Sequence, residues 1–562
     1  MWYFNKGFGM GKITVSDYLI RELNKLGVEE FFGLPGDYNF NILYSIDGNK
    51  DTKWIGCTNE LNAGYAADGY ARVKGYGALV TTYGVGELSA INAIAGSYAE
   101  NIPVFKIVGV PATKFIKKNA LIHHNFQHPD YYAFERAFSN VTETTAYLDE
   151  KNAKEEIDRL LSVFIEQKRP VYVAIPVDIC LLEIDDEPEI KTLKTDEKSL
   201  EKALDAALEI INKAKYPIIL GDVLIKRYDS KKEFLGLVEK SKYHVSNLLM
   251  GKGIIEAKNP KYLGTFLSQY ENIIAYNALH KSDCVISVGV INSDLNTYRS
   301  GLPFLPADFV EVQGTYTIVN HKKYDNIKMA DFLNALQDKI QPLDLDMPKK
   351  EPSFIVPEKA EDTKLGQNYI YPRIQEFLQP NDMIFVETGI IPHGFAPTRL
   401  PENTEFNSQT LWGSIGWATP AIMGGAFAAK DRRPILLTGE GSHQLTCTEI
   451  ATMLRYNLKP IIFVFNNSGY TIERILSNDP WDFFNDISKW DYSKLPEVFE
   501  GEVFVSQVKT NKDFDDVLNQ INEEQKEKLC YIELFTGQMD LPYLTSKIVE
   551  NIKALNPTKI EA

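Results

Sequence analysis

The sequence has few cysteines, no long hydrophobic run and no excess of basic residues. Its five cysteines are scattered without the paired spacing of zinc sites, so we expect buried, reduced thiols. No run approaches the roughly 18 apolar residues of a membrane-spanning helix. Residues 1–6 also lack the continuous apolar segment of a signal peptide. These absences predict a cytoplasmic protein with no membrane partner.

The charge balance excludes another class of partner. The chain has 76 acidic against 60 basic residues and a formal net charge of −16. Binding of nucleic acid through its phosphates needs a concentrated basic surface. We therefore expect no nucleic-acid partner, although a small anionic cofactor held locally is compatible with this charge.

The pattern of the chain predicts an α/β fold with three parallel-sheet domains. Three segments repeat short apolar runs, glycine-containing loops and helical periodicity, and two polar stretches separate them. The predicted domains are residues 1–182, 201–340 and 366–562, with linkers at 183–200 and 341–365. The middle domain is Rossmann-like in pattern but has no GxGxxG fingerprint, so no bound dinucleotide is predicted.

Individual strands and one helix are also predicted from apolar runs. A helix is expected at residues 88–100, between the first two strands. The predicted strands cover residues 78–82, 104–108, 170–176, 217–220, 284–288, 434–437 and 461–465.

The most informative stretch runs from Gly439 to Asn467. Glu440 lies between two glycines after one predicted strand, and Asn466 and Asn467 follow another. Carboxylate, amide and phosphate oxygens are the ligands that Mg²⁺ prefers. A helix expected to begin near Leu445 would direct its first N–H groups toward a phosphate. The stretch therefore predicts a site for a metal-bound diphosphate, with ordinary turns after buried strands as the alternative.

This stretch resembles the thiamine-diphosphate motif, which usually reads Gly-Asp-Gly and, after a spacer, Asn-Asn. Here Glu440 replaces the aspartate and extends the carboxylate by about one methylene, so the geometry around Mg²⁺ has to adjust. From about Thr14 to about Leu544 the chain resembles the thiamine-diphosphate-dependent 2-oxo acid decarboxylases, the pyruvate and indolepyruvate decarboxylase family.

The resemblance implies a domain arrangement and an assembly. Two thiamine-diphosphate-binding domains would flank the Rossmann-like middle domain. The first domain would bind the aminopyrimidine ring of a cofactor whose diphosphate is held by the third domain of a partner subunit. A homodimer follows as the minimum, paired in many members into a homotetramer, and we expect a homotetramer here.

In the first domain, the resemblance rests on Gly33 to Asp37 and on Asn59 to Arg72. It implies that Glu60 hydrogen-bonds the pyrimidine N1′ and activates the cofactor, and that Asp37, His123 and His124 carry protons above the reacting carbon. The alternatives are a helix N-terminal acid at Glu60 and an incidental exposed histidine pair. Residues 125–129 depart from the glycine-containing sequence of the family, so the path of this loop is open.

In the third domain, the resemblance rests on Leu411 to Gly416 and Gly469 to Glu473. The Gly413 carbonyl would accept from N4′, and Ile415 would wedge between the two cofactor rings, with a plain core residue as the alternative. Glu473 would face the substrate carboxylate as a proton carrier, with a helix-surface acid as the alternative. Mg²⁺ would be bound by Glu440, Asn467 and the Gly469 carbonyl. The implied cofactor contacts are Glu60, Thr388, Gly413, Ser414, Ile415, Gly441, Ser442, Asn467, Gly469, Tyr470, Ile472 and Glu473.

The implied activity is non-oxidative decarboxylation of a 2-oxo acid to an aldehyde and CO₂ with thiamine diphosphate and Mg²⁺. Ile472, Ile475 and Leu476 would form an aliphatic wall, and Pro392 and His393 could narrow or polarise the pocket. Pyruvate, indolepyruvate, phenylpyruvate and branched-chain acids all remain open, with a slight preference for a broad range. An acetolactate-synthase-like carboligase and a non-catalytic cofactor-binding scaffold are the alternatives.

Overall fold

The computed structural model describes residues 11–267, 272–297, 308–348, 362–525, 527–542 and 545–546. Leu544 and residues 349–361 of the second predicted linker lie outside this part of the chain, as do residues 547–562 of the third predicted domain. The chain divides into two compact units. The first is Met1–Thr192 with Pro420–Lys430, and the second is Leu193–Thr419 with Asp431–Ala562.

A six-stranded parallel sheet organises the first unit, in the order β3-β2-β4-β5-β7-β6. Its central strands β4 and β5 are buried along their whole length, which explains their mostly apolar character. A short antiparallel pair joins β1 to β8. The strands are β1 Lys12–Thr14, β2 Glu30–Gly33, β3 Lys53–Gly56, β4 Gly77–Thr82, β5 Val104–Val110, β6 Thr144–Tyr147, β7 Val171–Pro176 and β8 Glu183–Asp185.

The helices of this unit connect successive strands and cover the sheet. Their bounds are α1 Val15–Lys25, α2 Phe40–Gly48, α3 Glu60–Lys74, α4 Val85–Ser89, α5 Ile91–Ala99, α6 Thr113–Lys117, α7 Ala133–Phe138 and α8 Ala153–Gln167, with a 3₁₀ turn at Ile179–Leu181. In α3 the Asn59 side chain accepts from the Asn62 N–H, and Gly75 ends the helix at a φ of 102°. These caps place Glu60 in the first turn of α3.

The middle sheet belongs to the second unit and has seven strands in the order β11-β10-β9-β12-β13-β14-β15. The first five are parallel, whereas β14 and β15 are antiparallel to their neighbours. The strands are β9 Pro217–Gly221, β10 His244–Asn247, β11 Tyr262–Thr265, β12 Cys284–Val288, β13 Asp308–Val312, β14 Tyr316–Val319 and β15 Lys322–Asp325. The helices are α9 Glu197–Ile211, α10 Leu224–Arg227, α11 Lys231–Ser241, α12 Ile273–Lys281 and α13 Met329–Lys339.

The last sheet, also in the second unit, has six parallel strands in the order β17-β16-β18-β19-β21-β20. They are β16 Met383–Val386, β17 Glu405–Ser408, β18 Pro434–Gly439, β19 Ile461–Asn466, β20 Val503–Val508 and β21 Leu529–Phe535. Since β16, β18 and β19 are neighbours, the residues that follow them meet at one edge of the sheet.

The helices of this last region run from Gln367 to Glu523. Most of α16 belongs to the first unit, as residues 420–430 do. The bounds are α14 Gln367–Phe377, α15 Ile391–Phe395, α16 Ala418–Ala428, α17 Glu440–Thr446, α18 Glu449–Arg455, α19 Thr471–Leu476, α20 Leu495–Val498 and α21 Asn511–Glu523, with 3₁₀ turns at Phe483–Asn485 and Tyr492–Lys494.

The predicted α/β class with three parallel-sheet domains is confirmed, and each strand predicted from an apolar run is present. The helix expected near Leu445 is a wrong prediction, because α17 begins at Glu440, directly after β18. The helix expected at residues 88–100 is two helices, α4 and α5, which meet at Ala90. None of the helices in the described part of the chain is both long and apolar enough to cross a membrane.

Candidate functional site

In the first unit, Glu60 lies against the first turn of α4. A Cβ at Gly86 would stand 3.1 Å from Glu60 Oε1, closer than side chains normally pack. Glu60 is half-buried. The glycine at position 86 therefore gives the Glu60 carboxylate room to approach the backbone.

The predicted proton carriers Asp37, His123 and His124 come together in the same unit. His123 Nε2 is 2.9 Å from Asp37 Oδ2, and His123 Nδ1 is 3.2 Å from the Tyr38 hydroxyl. The two histidine rings are 4.6 Å apart and turned by 69° to each other, so they face different directions. His124 has a φ of 65°, and a Cβ at Gly84 would lie 2.3 Å from its carbonyl oxygen. Glycine at position 84 thus allows this loop path.

Tyr38 is a member of this cluster that the sequence interpretation missed. Its ring stacks on His123 at 4.9 Å. Burial, and secondly the charge of Asp37, raise the pKa of Tyr38 to about 12, so the phenol keeps its proton. When the Tyr38 hydroxyl donates to His123 Nδ1, the proton of the neutral imidazole ring is on Nε2, which faces Asp37. The only sequence signal was its position next to Asp37.

In the second unit, the three predicted metal ligands Glu440, Asn467 and Gly469 meet where β18 and β19 end. Glu440 Oε1 accepts from the Gly469 N–H at 2.9 Å and from the Asn467 N–H at 3.2 Å. Burial raises the pKa of Glu440 to about 7, while these N–H groups act in the opposite direction. The Glu440 side chain, longer than an aspartate, thus links the end of β18 to the turn that follows β19.

The turn at Ser468 and Gly469 is held by Arg474, which the sequence interpretation also missed. Ser468 has a φ of 62° and Gly469 a φ of 138°. The buried Arg474 donates to the Ser468 carbonyl at 3.1 Å and to Asp486 at 2.5 Å. A Cβ at Gly469 would lie 2.5 Å from the Asn485 carbonyl oxygen, so this position requires glycine.

The loop from Gly413 to Gly416 is fixed by a second buried glutamate. Glu387, at the end of β16, accepts through Oε2 from the N–H groups of Gly416 at 3.2 Å and Ala418 at 3.1 Å. The Ser414 N–H donates to the Gln409 side chain at 2.9 Å. Ile415 is 38% exposed, so it is not part of the core. The Ile415 side chain is therefore exposed on a loop whose backbone is held by hydrogen bonds.

The other predicted contacts surround these two clusters. A Cβ at Gly413 would lie 3.8 Å from Thr388 Oγ1, and a Cβ at Gly441 would lie 2.5 Å from the Tyr470 ring. Ser442 is buried in α17. On α19, Glu473 is exposed and Ile472 is half-buried.

Three of the five predicted pocket residues are buried. Of the aliphatic wall, Ile475 is buried, whereas Leu476 is half-buried and packs against the core. Pro392 and His393 are buried within α15.

The residues of the second unit fit a metal-bound diphosphate. Glu440 and Asn467 supply oxygen atoms of the kind that Mg²⁺ prefers, together with backbone carbonyls. A Cβ at Gly439 or Gly389 would meet no atom within 4 Å, so open space adjoins the end of β18 and the residues shortly after β16. This combination of oxygen donors and open space suits a phosphorylated cofactor.

Comparisons with known proteins agree with this geometry. Three thiamine pyrophosphate enzyme models match: the N-terminal TPP binding domain over residues 13–134, the central domain over 204–337 and the C-terminal TPP binding domain over 388–534. Thiamine pyrophosphate is another name for thiamine diphosphate. These domains imply that cofactor for this chain.

Similar full-length proteins are also found. A pyruvate decarboxylase of Kluyveromyces lactis is 36% identical over 95% of this chain and 97% of its own length. Pyruvate decarboxylase isozyme 1 of Saccharomyces cerevisiae is 35% identical over 97% of this chain and 98% of its own. The chain therefore belongs to the thiamine pyrophosphate enzyme family, as a 2-oxo acid decarboxylase similar to the pyruvate decarboxylases.

Proposed function

We propose that this protein converts 2-oxo acids, pyruvate among them, to the aldehyde with one carbon fewer and CO₂, using thiamine diphosphate and Mg²⁺. The observation that carries the proposal is the joining of Glu440 to the Asn467 and Gly469 turn, at the carboxyl ends of two adjacent strands. This site would hold Mg²⁺ and the diphosphate. When bound, the cofactor supplies a nucleophilic carbon and accepts the electrons released with CO₂.

The remaining residues would orient groups and move protons. Glu60 would hold a proton shared with the pyrimidine N1′, while the exposed Ile415 would support the cofactor rings. Asp37 and His123, already 2.9 Å apart, would pass a proton to the product carbon, and Tyr38 would keep His123 in one orientation. Glu473 would act on the substrate carboxylate.

We also propose a homodimer, paired into a homotetramer, as the working assembly. Large apolar side chains are exposed in both units: Val85 and Leu88 of α4 in the first, and Leu411, Trp412, Ile415 and Leu445 in the second. Clusters of this kind on one chain commonly mark surfaces that another chain covers. A second copy would cover them and complete the cofactor site.

The substrate range is the finer part of the proposal. The similar proteins are pyruvate decarboxylases, which favours pyruvate as a substrate. Ile472 and Leu476, which are only half-buried, could contact a longer aliphatic or aromatic side chain. We therefore propose a range that includes pyruvate and larger 2-oxo acids.

The test is a panel of pyruvate, 2-oxoisovalerate, phenylpyruvate and indolepyruvate with added thiamine diphosphate and Mg²⁺. CO₂ release and free aldehyde are expected from pyruvate and at least one larger acid. A preference for pyruvate above about tenfold in kcat/KM, which is about 1.4 kcal/mol, would exclude the broad range. Acetolactate or acetoin without free aldehyde would indicate a carboligase, and a cofactor-loaded but inert protein would indicate a scaffold.

A further inference from the structure

A buried lysine and a buried glutamate lie beneath the Glu60 carboxylate in the first unit. Lys106 is at the centre of β5 and Glu87 is in α4, and neither side chain is exposed. Lysine and glutamate are almost never fully buried unless they are paired. None of the roles assigned above uses either residue, so their presence needs another explanation.

Both side chains are fixed by hydrogen bonds. Glu87 accepts from the Gly84 N–H at 2.8 Å and from the Tyr172 hydroxyl at 2.8 Å. The Lys106 ammonium donates to Thr81 Oγ1 on the neighbouring strand β4. Glu87 thus holds the start of α4, the same turn against which Glu60 lies.

A short chain of contacts connects Lys106 to Glu60. A Cβ at Gly86 would stand 3.1 Å from Glu60 Oε1 and 3.6 Å from Thr81 Cβ. Thr81 in turn accepts the hydrogen bond from Lys106. Thr81 and Gly86 therefore connect the surroundings of the Glu60 carboxylate with those of the Lys106 ammonium.

The electrostatics agree with this arrangement. Burial lowers the pKa of Lys106 to about 7, and the charges of Glu87 and then Glu60 act to raise it. Burial likewise raises the pKa of Glu87 to about 7, against the Gly84 N–H and the Lys106 charge. The groups that face these two residues from the packed elements are Glu60 of α3, Thr81 of β4, Tyr83 before α4, Tyr147 of β6, Tyr172 of β7, and Glu135 and the Phe138 ring of α7.

We propose that Lys106, held on Thr81 near the buried Glu87, is a positioning residue that stabilises the ionised form of Glu60. A nearby cation favours a carboxylate over the carboxylic acid. It would therefore favour movement of the Glu60 proton to the pyrimidine N1′. This inference rests on the proposed role of Glu60, and it explains why two charges are buried below that residue.

The experiment measures exchange of the C2 proton of bound thiamine diphosphate for deuterium, by acid quench and proton NMR, without any 2-oxo acid. Lys106→Met removes the charge and keeps most of the volume. It should slow the exchange by about tenfold, the order of the effect that one nearby charge has on a proton transfer, and leave the Kd for thiamine diphosphate unchanged. Lys168→Met, which removes another buried lysine of the same unit, should change neither quantity.

The pH profile of the exchange provides an independent measurement. In the wild type the exchange rate should fall as the pH rises past about 7, because Lys106 then loses its charge. Glu87→Gln removes a charge that raises the pKa of Lys106, so this fall should move to lower pH. An unchanged midpoint in Glu87→Gln would overturn the proposal, even if Lys106→Met did not fold.

Glu60→Gln distinguishes a failure of the proposed role of Glu60 from a failure of the inference about Lys106. It should abolish the exchange if Glu60 activates the cofactor. If Glu60→Gln exchanges at the wild-type rate, the proposed role of Glu60 fails and the inference fails with it. If Glu60→Gln does not exchange but a folded, cofactor-bound Lys106→Met protein exchanges at the wild-type rate, the proposed role of Glu60 stands. Lys106 is then a structural counter-ion alone.

Discussion

At the scale of single residues, Glu440 has a structural role and a proposed metal-binding role that substitutions can separate. Its carboxylate accepts two backbone N–H groups and is also the proposed Mg²⁺ ligand. Glu440→Gln keeps an oxygen for the N–H groups but removes the charge. It should weaken Mg²⁺ binding by at least about tenfold, because the loss of a charge-assisted contact costs about 1.5 kcal/mol. The Tm should change little.

Glu440→Ala and Glu440→Asp complete this comparison. Glu440→Ala should abolish Mg²⁺ binding and also lower the free energy of unfolding by about 1–3 kcal/mol, because two buried N–H groups lose their acceptor. Glu440→Asp keeps the charge and should keep Mg²⁺ affinity. Calorimetric titration with Mg²⁺ in the presence of thiamine diphosphate, together with thermal melting, measures both effects. Equal Mg²⁺ affinity in all variants would remove Glu440 from the metal site.

His443, in the same helix, predicts a specific sensitivity to acid. It is fully buried, and burial lowers its pKa from 6.5 to about 3. Between these values the unfolded chain binds more protons than the folded chain, so this contribution to stability is lost as the pH falls. From pH 7 to pH 5 it amounts to about 2 kcal/mol.

A variant isolates that contribution. His443→Gln should lose about 2 kcal/mol less unfolding free energy than the wild type over this pH interval, as measured by urea unfolding at both pH values. His280→Gln, at an exposed histidine, is the matched control and should follow the wild type. Parallel losses in all three proteins would mean that another group causes the acid sensitivity.

At the scale of elements, the first unit depends on a close crossing of α3 and α16. A Cβ at Gly69 would lie 1.9 Å from the Ala421 carbonyl oxygen, and a Cβ at Gly424 would lie 1.9 Å from the Ala66 carbonyl oxygen. Backbone atoms cannot move aside as side chains can. Gly69→Ala should therefore lower the free energy of unfolding by about 1–3 kcal/mol, although alanine favours a helix interior by about 1 kcal/mol.

Thermal and urea unfolding check this expectation. Gly56→Ala is the matched control, since a Cβ there would meet its nearest atom, Trp54 Nε1, at an ordinary 3.5 Å. It should leave stability unchanged. A Gly69→Ala protein as stable as the wild type would show that the two helices can separate at no cost.

Elements differ in how far the sequence predicts them. Strands β4, β5, β18 and β19 are buried on both faces, so a mostly apolar run marked each of them. The start of α17 was misjudged because glycines suggested a loop, whereas Glu440 begins a helix directly after Gly439. A negative side chain in the first turn is favoured by the helix dipole, and this offsets part of the low helix propensity of Gly441.

At the scale of the whole molecule, the predicted site residues fall in both compact units. Asp37, Glu60, His123 and His124 belong to the first unit, and the remaining site residues belong to the second. If the cofactor is shared between subunits, inactive Glu60→Gln and Glu440→Ala proteins should complement each other. A mixed dimer would have one intact site, and random mixing of a two-site symmetric dimer would restore about a quarter of wild-type activity.

The complementation is measured by unfolding and refolding the two variants together, then assaying CO₂ release. Each variant refolded alone serves as the control and should remain inactive. No recovery in a mixture that sedimentation shows to contain dimers would mean that the cofactor does not require two subunits.

The sequence by itself determined the α/β class, the strands of the core and the residues that resemble a thiamine-diphosphate site. These follow from local patterns, because burial on both faces and glycine at strand ends leave a signature along the chain. The tertiary structure alone revealed Tyr38 on His123, Arg474 on the Ser468 turn, Glu387 on the loop of Ile415, and the burial of Lys106 and Glu87. Lys106 lies far along the chain from Glu60, and only folding of the sheet brings their charges together. Hydrogen bonds and charges act through space, whereas sequence patterns record only neighbours along the chain.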